Sequence, residues 1–238
     1  MNPKQDLTEI SKKKAAKEAA KHIKDDYIVG LGSGSTAAYA IEEIAKKMKK
    51  ENLRILGIPT SYQAFTLAVK NSIPITTLEE HLTIDVTIDG ADQIDADLNL
   101  IKGMGGALTR EKIVAQASRK SIIVADENKR VRKLGQDEQP IPIEVVPFAI
   151  PVVLRRISKI GGRPVLREGR GKVGPVLTDN CNAIIDATFG PLDHLAEMER
   201  TLKSITGVVE TGLFIETTSL AYIGKKTSVE KLVATKKV

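Results

Sequence analysis

YIVGLGSGSTAAYAIEEIAKKM, Tyr27 to Met48, sets a short apolar run before a glycine turn and a helix-period pattern. Ala37, Ile41, Ile44, Ala45 and Met48 fall at helical spacing with lysines opposite, so the stretch reads as strand, turn and amphipathic helix. The same grammar returns in RILGIPT (54–60) with a helix near Ser61 to Val69, in the short PITTL (74–78) and in LTIDVTIDGAD (82–92). It continues through IKGMGGALTREK (101–112) and SIIVAD (121–126). Apolar strands alternating with helices indicate an α/β fold, a mostly parallel doubly wound sheet covered on both faces. Ligands of such sheets bind beyond the carboxyl ends of the strands. That rule singles out Ser33 to Thr36, Asp89 to Asp92 and Lys102 to Gly106. Upstream, Asp6 followed by Glu9 resembles a capping box, and Ile10, Ala15, Ala16, Ala19, Ala20 and Ile23 suggest a first amphipathic helix.

Pro140, Pro142, Pro147 and Pro151 mark a change of texture. After them come strand IPIEVV, helix AIPVVLRRISKI, strands PVLRE and AIIDATF, helix LDHLAEMERTLKSI and strand VVETGLF. This is the βαββαβ order of a ferredoxin-like α+β module, inserted over residues 138–215. LAYIGKK then returns to the first domain, made of 1–137 plus 216–238. RGKVGPVLTDNCN reads as an exposed loop.

A chain of 238 residues buries a real core. One cysteine, Cys181, excludes an internal disulfide and suits a reducing compartment, while His22, His81 and His194 are too scattered for a metal cluster. No apolar run approaches a membrane span, and the lysine-rich amino terminus lacks a signal-peptide core, so a cytoplasmic protein is expected. The net charge of +6 sits at the ends: residues 1–24 hold seven Lys against Asp6, Glu9 and Glu18, and residues 225–238 hold five Lys against Glu230. With aromatics at 3% and no Trp, stacking platforms are scarce, so solvated lysine faces are expected and not a nucleic-acid surface.

Three segments carry candidate chemistry. In GLGSGST the third glycine of a dinucleotide fingerprint is missing and no Walker lysine follows. Ser33, Ser35 and Thr36 either cap the helix or hold phosphate. TIDGADQID places Asp89 and Asp92 around Gly90, as an Asp-rich turn, a divalent-ion site without the EF-hand pattern, or a pair of proton handlers. In IKGMGGALTREK, Gly103, Gly105 and Gly106 permit a tight anion-holding turn, Thr109 is the expected N-cap, and Lys102 and Glu111 flank it as electrophile and base. An ordinary strand-to-helix loop explains the same residues.

GLGSGSTA, TIDGAD, IKGMGGALTREKI, IVADENK, GGRPVLR, TDNCN and GVVETGLF, in this order and spacing, resemble ribose-5-phosphate isomerase of the A type. The resemblance covers nearly the whole chain. It implies interconversion of ribose 5-phosphate and ribulose 5-phosphate in the non-oxidative pentose phosphate pathway, without metal or organic cofactor, by a homodimer or homotetramer. Its substrate residues match Ser33, Gly34, Ser35 and Thr36, then Asp89, Gly90, Ala91 and Asp92, then Lys102, Gly103, Met104 and Gly105, with a further lysine at Lys129. Its proton acceptor matches Glu111, with Lys102, Asp89 and Asp92 as the other catalytic groups. Met104 stands for a usual glycine, Gln93 for a frequent glutamate, and Cys181 for a frequent glycine. Two rivals share the glycine-loop logic. A sugar-phosphate sensor would dispense with the base, and a related deaminase or lactonase would use a histidine, which none of the motifs contains.

Overall fold

The computed structural model describes residues 3–169, 171 and 173–234. It divides into two compact units: Met1–Ala91 with Arg110–Arg130 and Glu216–Val238, and Asp92–Thr109 with Val131–Ile215.

The first unit contains α1 (Pro3–Ala20), β1 (Tyr27–Leu31), α2 (Ser35–Glu51), β2 (Ile55–Pro59), α3 (Tyr62–Lys70) and β3 (Val86–Asp89). Most of α4 (Leu108–Gln116), then β6 (Ser121–Asp126), β12 (Leu220–Gly224) and β13 (Val229–Val233) complete it. The sheet order is β13-β12-β6-β3-β1-β2, parallel throughout except for β13. Every residue of β3, β6 and β12 is buried, as expected for strands covered on both faces. On one face Ala15, Ala16, Ala19 and Ile23 pack with Ala40, Ile41 and Ile44 of α2 and with Val29, Leu31, Ile122 and Val124 of the sheet. Alanines at these positions let the two helices lie close to the strands and to each other. On the other face Val114 of α4 packs with Ile58 and Ile84.

Several local expectations are corrected. The first helix is described over Pro3–Ala20, which places Asp6 and Glu9 within it, and the side chain of Asp6 lies outside the described residues. PITTL forms only a single parallel bridge, Gly57 to Ile75. VEKLV, not foreseen as a strand, pairs along the whole of β12 as an antiparallel edge. Its charged Glu230 and Lys231 suit an edge position and hide its strand character in the sequence.

The second unit holds β7 (Ile141–Val145), α5 (Ile150–Lys159), β8 (Arg163–Leu166), β9 (Ala183–Thr188), α6 (Leu195–Lys203) and β10 (Val208–Thr211). All neighbours in the order β10-β7-β9-β8 are antiparallel, the ferredoxin-like arrangement. Alternation along the strands puts Ile143, Val145, Ile185 and Ala187 on the face that packs with Val153, Ile157 and Leu202 of the helices. The intervening residues, Pro142, Glu144, Ile184 and Asp186, point to the opposite face.

That opposite face is covered by the chain's own segment 92–109. A Cβ placed on Gly103 would come 3.2 Å from Pro142 Cβ, and one on Gly106 would come 3.2 Å from Ile184 Cδ1. A small sheet of order β11-β5-β4, with β4 (Gln93–Ile94), β5 (Leu100–Ile101) and β11 (Leu213–Phe214), flanks this segment. VVETGLF is therefore two strands. It breaks at Gly212, where a Cβ would lie 2.2 Å from Lys102 O.

Candidate active site

β1 and β3 are neighbours, and Gly32 N–H continues their ladder to Ile88 O at 3.0 Å. Beyond it, one oxygen of Asp89 takes over. Asp89 Oδ1 accepts Ser33 N–H at 3.0 Å and Gly90 N–H at 2.7 Å, with the side chain only 3% exposed. Residue 32 has to be glycine for this, since a Cβ there would come 2.2 Å from that oxygen. Ser33 Oγ turns into the protein and lies 2.8 Å from Thr60 Oγ1 and 2.5 Å from Ser61 Oγ. Ser61 in turn caps α3 by accepting Ala64 N–H at 3.1 Å.

The capping reading of Ser33, Ser35 and Thr36 is thereby corrected. The N-cap of α2 is Gly34, at φ 93°, and no side chain caps the helix. The first amides of a helix with no side-chain cap, together with the dipole, favour an external anion. Beside them stands a cation that sequence reasoning missed. Lys12 of α1 places Nζ 3.1 Å from Ser35 Oγ and 2.9 Å from Glu9 Oε1. Glu9 also receives the Tyr39 hydroxyl. That hydrogen bond, then Lys12, holds the Glu9 carboxyl below its ordinary value, and the same bond pushes Tyr39 up to about 12. Lys12 carried no local signal, because its place depends on α1 crossing the start of α2.

Lys129 ends a one-turn 3-10 segment directly after β6, and Asp126 caps that turn by accepting Asn128 N–H at 3.1 Å. Since β6 lies beside β3 and runs parallel to it, this turn and the Asp89–Ala91 turn both follow the carboxyl ends of neighbouring strands. Glu111 sits in the first turn of α4, 5% exposed, where the helix dipole favours a carboxylate. Three residues on, Val114 anchors the helix over β1, so close that a Cβ on Gly30 would come 2.6 Å from Val114 Cγ1.

Asp92 and Lys102 to Gly105 belong to the second unit. Lys102 is 4% exposed, its Nζ 5.5 Å from the centre of the buried Phe214 ring, a cation–π distance. Lys102 N–H bonds Gly212 O at 2.9 Å, and Asp92 N–H bonds Ile101 O at 2.9 Å. Gly103 has φ +101°, a conformation strained for any side chain. Met104 donates its amide to Asp92 Oδ2 at 2.9 Å, while its side chain is 44% exposed. The methionine thus points its bulk outward, and its amide is spent within the protein.

Two expectations nearby change meaning. Thr109 is not the N-cap: α4 begins at Leu108, and Thr109 Oγ1 donates to Glu144 Oε2 at 2.6 Å. Glu144, wholly buried, also accepts from Thr178 Oγ1 at 2.9 Å, Asn180 Nδ2 at 3.0 Å and Asn182 Nδ2 at 2.8 Å. Gln93 uses both ends of its amide, accepting Gly135 N–H at 2.8 Å and donating to Gln136 O at 2.9 Å. A glutamate could not make the second bond.

Among the described residues no three His, Cys, Asp or Glu side chains group to hold a metal ion. No helix among them is long and apolar enough to cross a membrane. Residues 56–228 match the family model of ribose 5-phosphate isomerase A, also called phosphoriboisomerase A. Ribose-5-phosphate isomerase A of Archaeoglobus fulgidus is 50% identical over 202 residues, covering 84% of this chain and 88% of that protein. The chain belongs to the ribose 5-phosphate isomerase A family.

Solved structures agree. Ribose 5-phosphate isomerase A of Methanocaldococcus jannaschii superimposes with a TM-score of 0.90 at 44% identity, over 96% of this chain and 99% of that one. A D-ribose-5-phosphate isomerase in complex with phospho-erythronic acid gives 0.91 at 44% identity, over 98% and 100%. Membership of this family accounts for the motifs quoted at the outset without appeal to a sensor or to a catalytic histidine. His22, for its part, is engaged with Tyr222 at 2.8 Å and Lys120 at 3.2 Å.

Proposed function

We infer that this chain interconverts ribose 5-phosphate and ribulose 5-phosphate, as an intramolecular aldose–ketose isomerase of the non-oxidative pentose phosphate pathway. The observation that carries the reading is the burial of three charged side chains within the family's motifs: Asp89 at 3%, Lys102 at 4% and Glu111 at 5% exposure. Withdrawing charge from water is costly, and a base, a cation and a second carboxylate held dry suit proton transfer at carbon.

Glu111 removes the C2 proton of the open-chain sugar and returns it at C1. Lys102 stabilises negative charge on the oxygen of the enediolate in between. Asp89 holds the turn with one oxygen and serves hydroxyl protons with its charge, and Asp92 assists it. Ser33 to Thr36, with Lys12 and Lys129, receive the phosphate, because the uncapped α2 supplies amides and the lysines supply charge. We further propose a cytoplasmic homodimer or homotetramer, with 1–137 and 216–238 carrying catalysis and 138–215 serving assembly, although segments 92–109 and 131–137 pack with the second unit. The exposed Phe148, Val152 and Val165 of the second unit support self-association there.

The deciding experiment is incubation with ribose 5-phosphate in D₂O, wild type beside Glu111→Gln. Ketose carrying deuterium at C1 is expected from the wild type, and a loss of about 10²- to 10⁴-fold in turnover from the variant. Absence of ketose refutes the isomerase, and ketose without exchange points to hydride transfer. A fully active Glu111→Gln removes Glu111 from its role.

A further inference from the structure

Arg167 follows β8 on the face of the antiparallel sheet that the glycine turn covers. Its side chain is 12% exposed, and Asp186 on β9, 21% exposed, holds it through both Nε, at 2.7 Å, and Nη2. A two-point carboxylate contact fixes the plane of a guanidinium. The remaining nitrogen, Nη1, then donates to two consecutive backbone carbonyls, Gly103 O at 2.9 Å and Met104 O at 3.0 Å.

Two neighbouring carbonyls drawn to one nitrogen constrain the amides that follow them. In a trans peptide the N–H points opposite to the C=O of the same plane. Met104 N–H shares its plane with Gly103 O and points away from Arg167, where Asp92 Oδ2 accepts it at 2.9 Å. Gly105 N–H shares its plane with Met104 O and is turned to that same side. A Cβ on Gly105 would meet nothing within 4 Å, so the space beside this residue is open. Consecutive amides turned to one side form a concavity that suits an anionic oxygen; Asp92 takes the first, that of Met104, and the second, that of Gly105, stands three residues after Lys102 as the donor for a ligand oxygen.

We propose that Arg167, held by Asp186, is a positioning residue that aims the Gly105 amide, in step with Lys102, at the oxygen that becomes negative during isomerisation. Arg167 touches no reacting atom in this scheme. It acts through two carbonyls, and it gives the second unit a part in the chemistry through residues separated from the turn by more than sixty positions. The proposal rests on reading Lys102 to Gly105 as the reacting end of the site.

The test compares Arg167→Ala, Arg167→Lys, Asp186→Asn and Lys102→Ala with the wild type. For each, kcat and KM for ribose 5-phosphate, the inhibition constant of phospho-erythronic acid and the melting temperature are measured. Arg167→Ala is expected to lose about 10- to 100-fold in kcat with little change in KM, since the amide matters most when charge develops. Phospho-erythronic acid, whose carboxylate supplies a negative oxygen, should weaken by more than KM rises, and millimolar guanidinium should restore part of kcat. Asp186→Asn should follow in the same direction more mildly. Arg167→Lys, with a point charge and no fork, should fold and still fall short of the wild type, and so decides the matter if the alanine variant fails to fold. Wild-type kcat and inhibition in a folded Arg167→Ala or Arg167→Lys overturns the proposal. Wild-type turnover in Lys102→Ala overturns instead the reading on which it rests.

Discussion

Asp89 Oδ1 accepts the amides of both Ser33 and Gly90, so a single carboxylate oxygen ties together the ends of two adjacent parallel strands. The structural and chemical parts of this side chain are separable by substitution. Asp89→Ala removes the acceptor for two amides and should cost about 2 kcal/mol of stability. Asp89→Asn keeps an acceptor oxygen and should retain most of that stability while losing about 10²-fold in kcat, for want of the charge. Melting curves and initial rates on both variants check this. An asparagine variant with full turnover would leave Asp89 a purely structural residue.

Lys12 stands at the uncapped start of α2, where Nζ reaches Ser35. Lys12→Met is expected to raise KM for ribose 5-phosphate about 10-fold or more, with kcat changed far less, because a phosphate contact is made equally in ground and transition states. Inhibition by inorganic phosphate should weaken in parallel. A variant whose kcat falls at constant KM would assign Lys12 to the reacting centre instead.

Cys181 has φ +61° and its thiol is exposed. This explains why the equivalent place in the family is often glycine: a left-handed conformation costs a residue with a Cβ about 1 kcal/mol. Cys181→Gly should therefore stabilise the protein by about that amount, read from chemical denaturation, with no effect on KM. A variant no more stable than its parent would show that the loop relaxes the strain in some other way.

His22 is half-buried against Tyr222 and Lys120. Desolvation, followed by the charges of Lys120, Lys231, Lys47 and Lys24, holds its imidazole below the ordinary histidine value. A depressed folded-state value means that the unfolded chain takes up the proton first as pH falls. The stability linked to His22 is thus fully present above the unfolded value of about 6.5 and declines below it. His22→Gln should flatten the fall of melting temperature between about pH 7 and pH 5. Parallel curves for variant and wild type would rule this out.

The strand, turn and helix order, the ferredoxin-like insertion and the glycine turns were legible because periodicity and glycine punctuation are local properties. What escaped reading depends on residues far apart in sequence. Lys12 meets Ser35 only because α1 packs across α2, and Glu144 meets Thr109 only because the glycine turn lies on the antiparallel sheet. VEKLV shows a related failure, since a charged edge strand has too little apolar pattern to announce itself. Thr109 illustrates a third: the residue type suited a cap, but a buried carboxylate offered its hydroxyl a stronger partner.

The segment 92–109 is the second cover of the four-stranded sheet as well as the carrier of Lys102. Its order is therefore inherited from the folding of that sheet. A local opening that unzips β8 from β9 would release Arg167, Asp186 and the glycine turn as one cooperative block while the parallel sheet stayed intact. Amide exchange at residues 103–106 should then follow the rate of the four-stranded sheet rather than that of the strands carrying Asp89, so that the order around Lys102 is lent by a core smaller than the one beneath the parallel sheet.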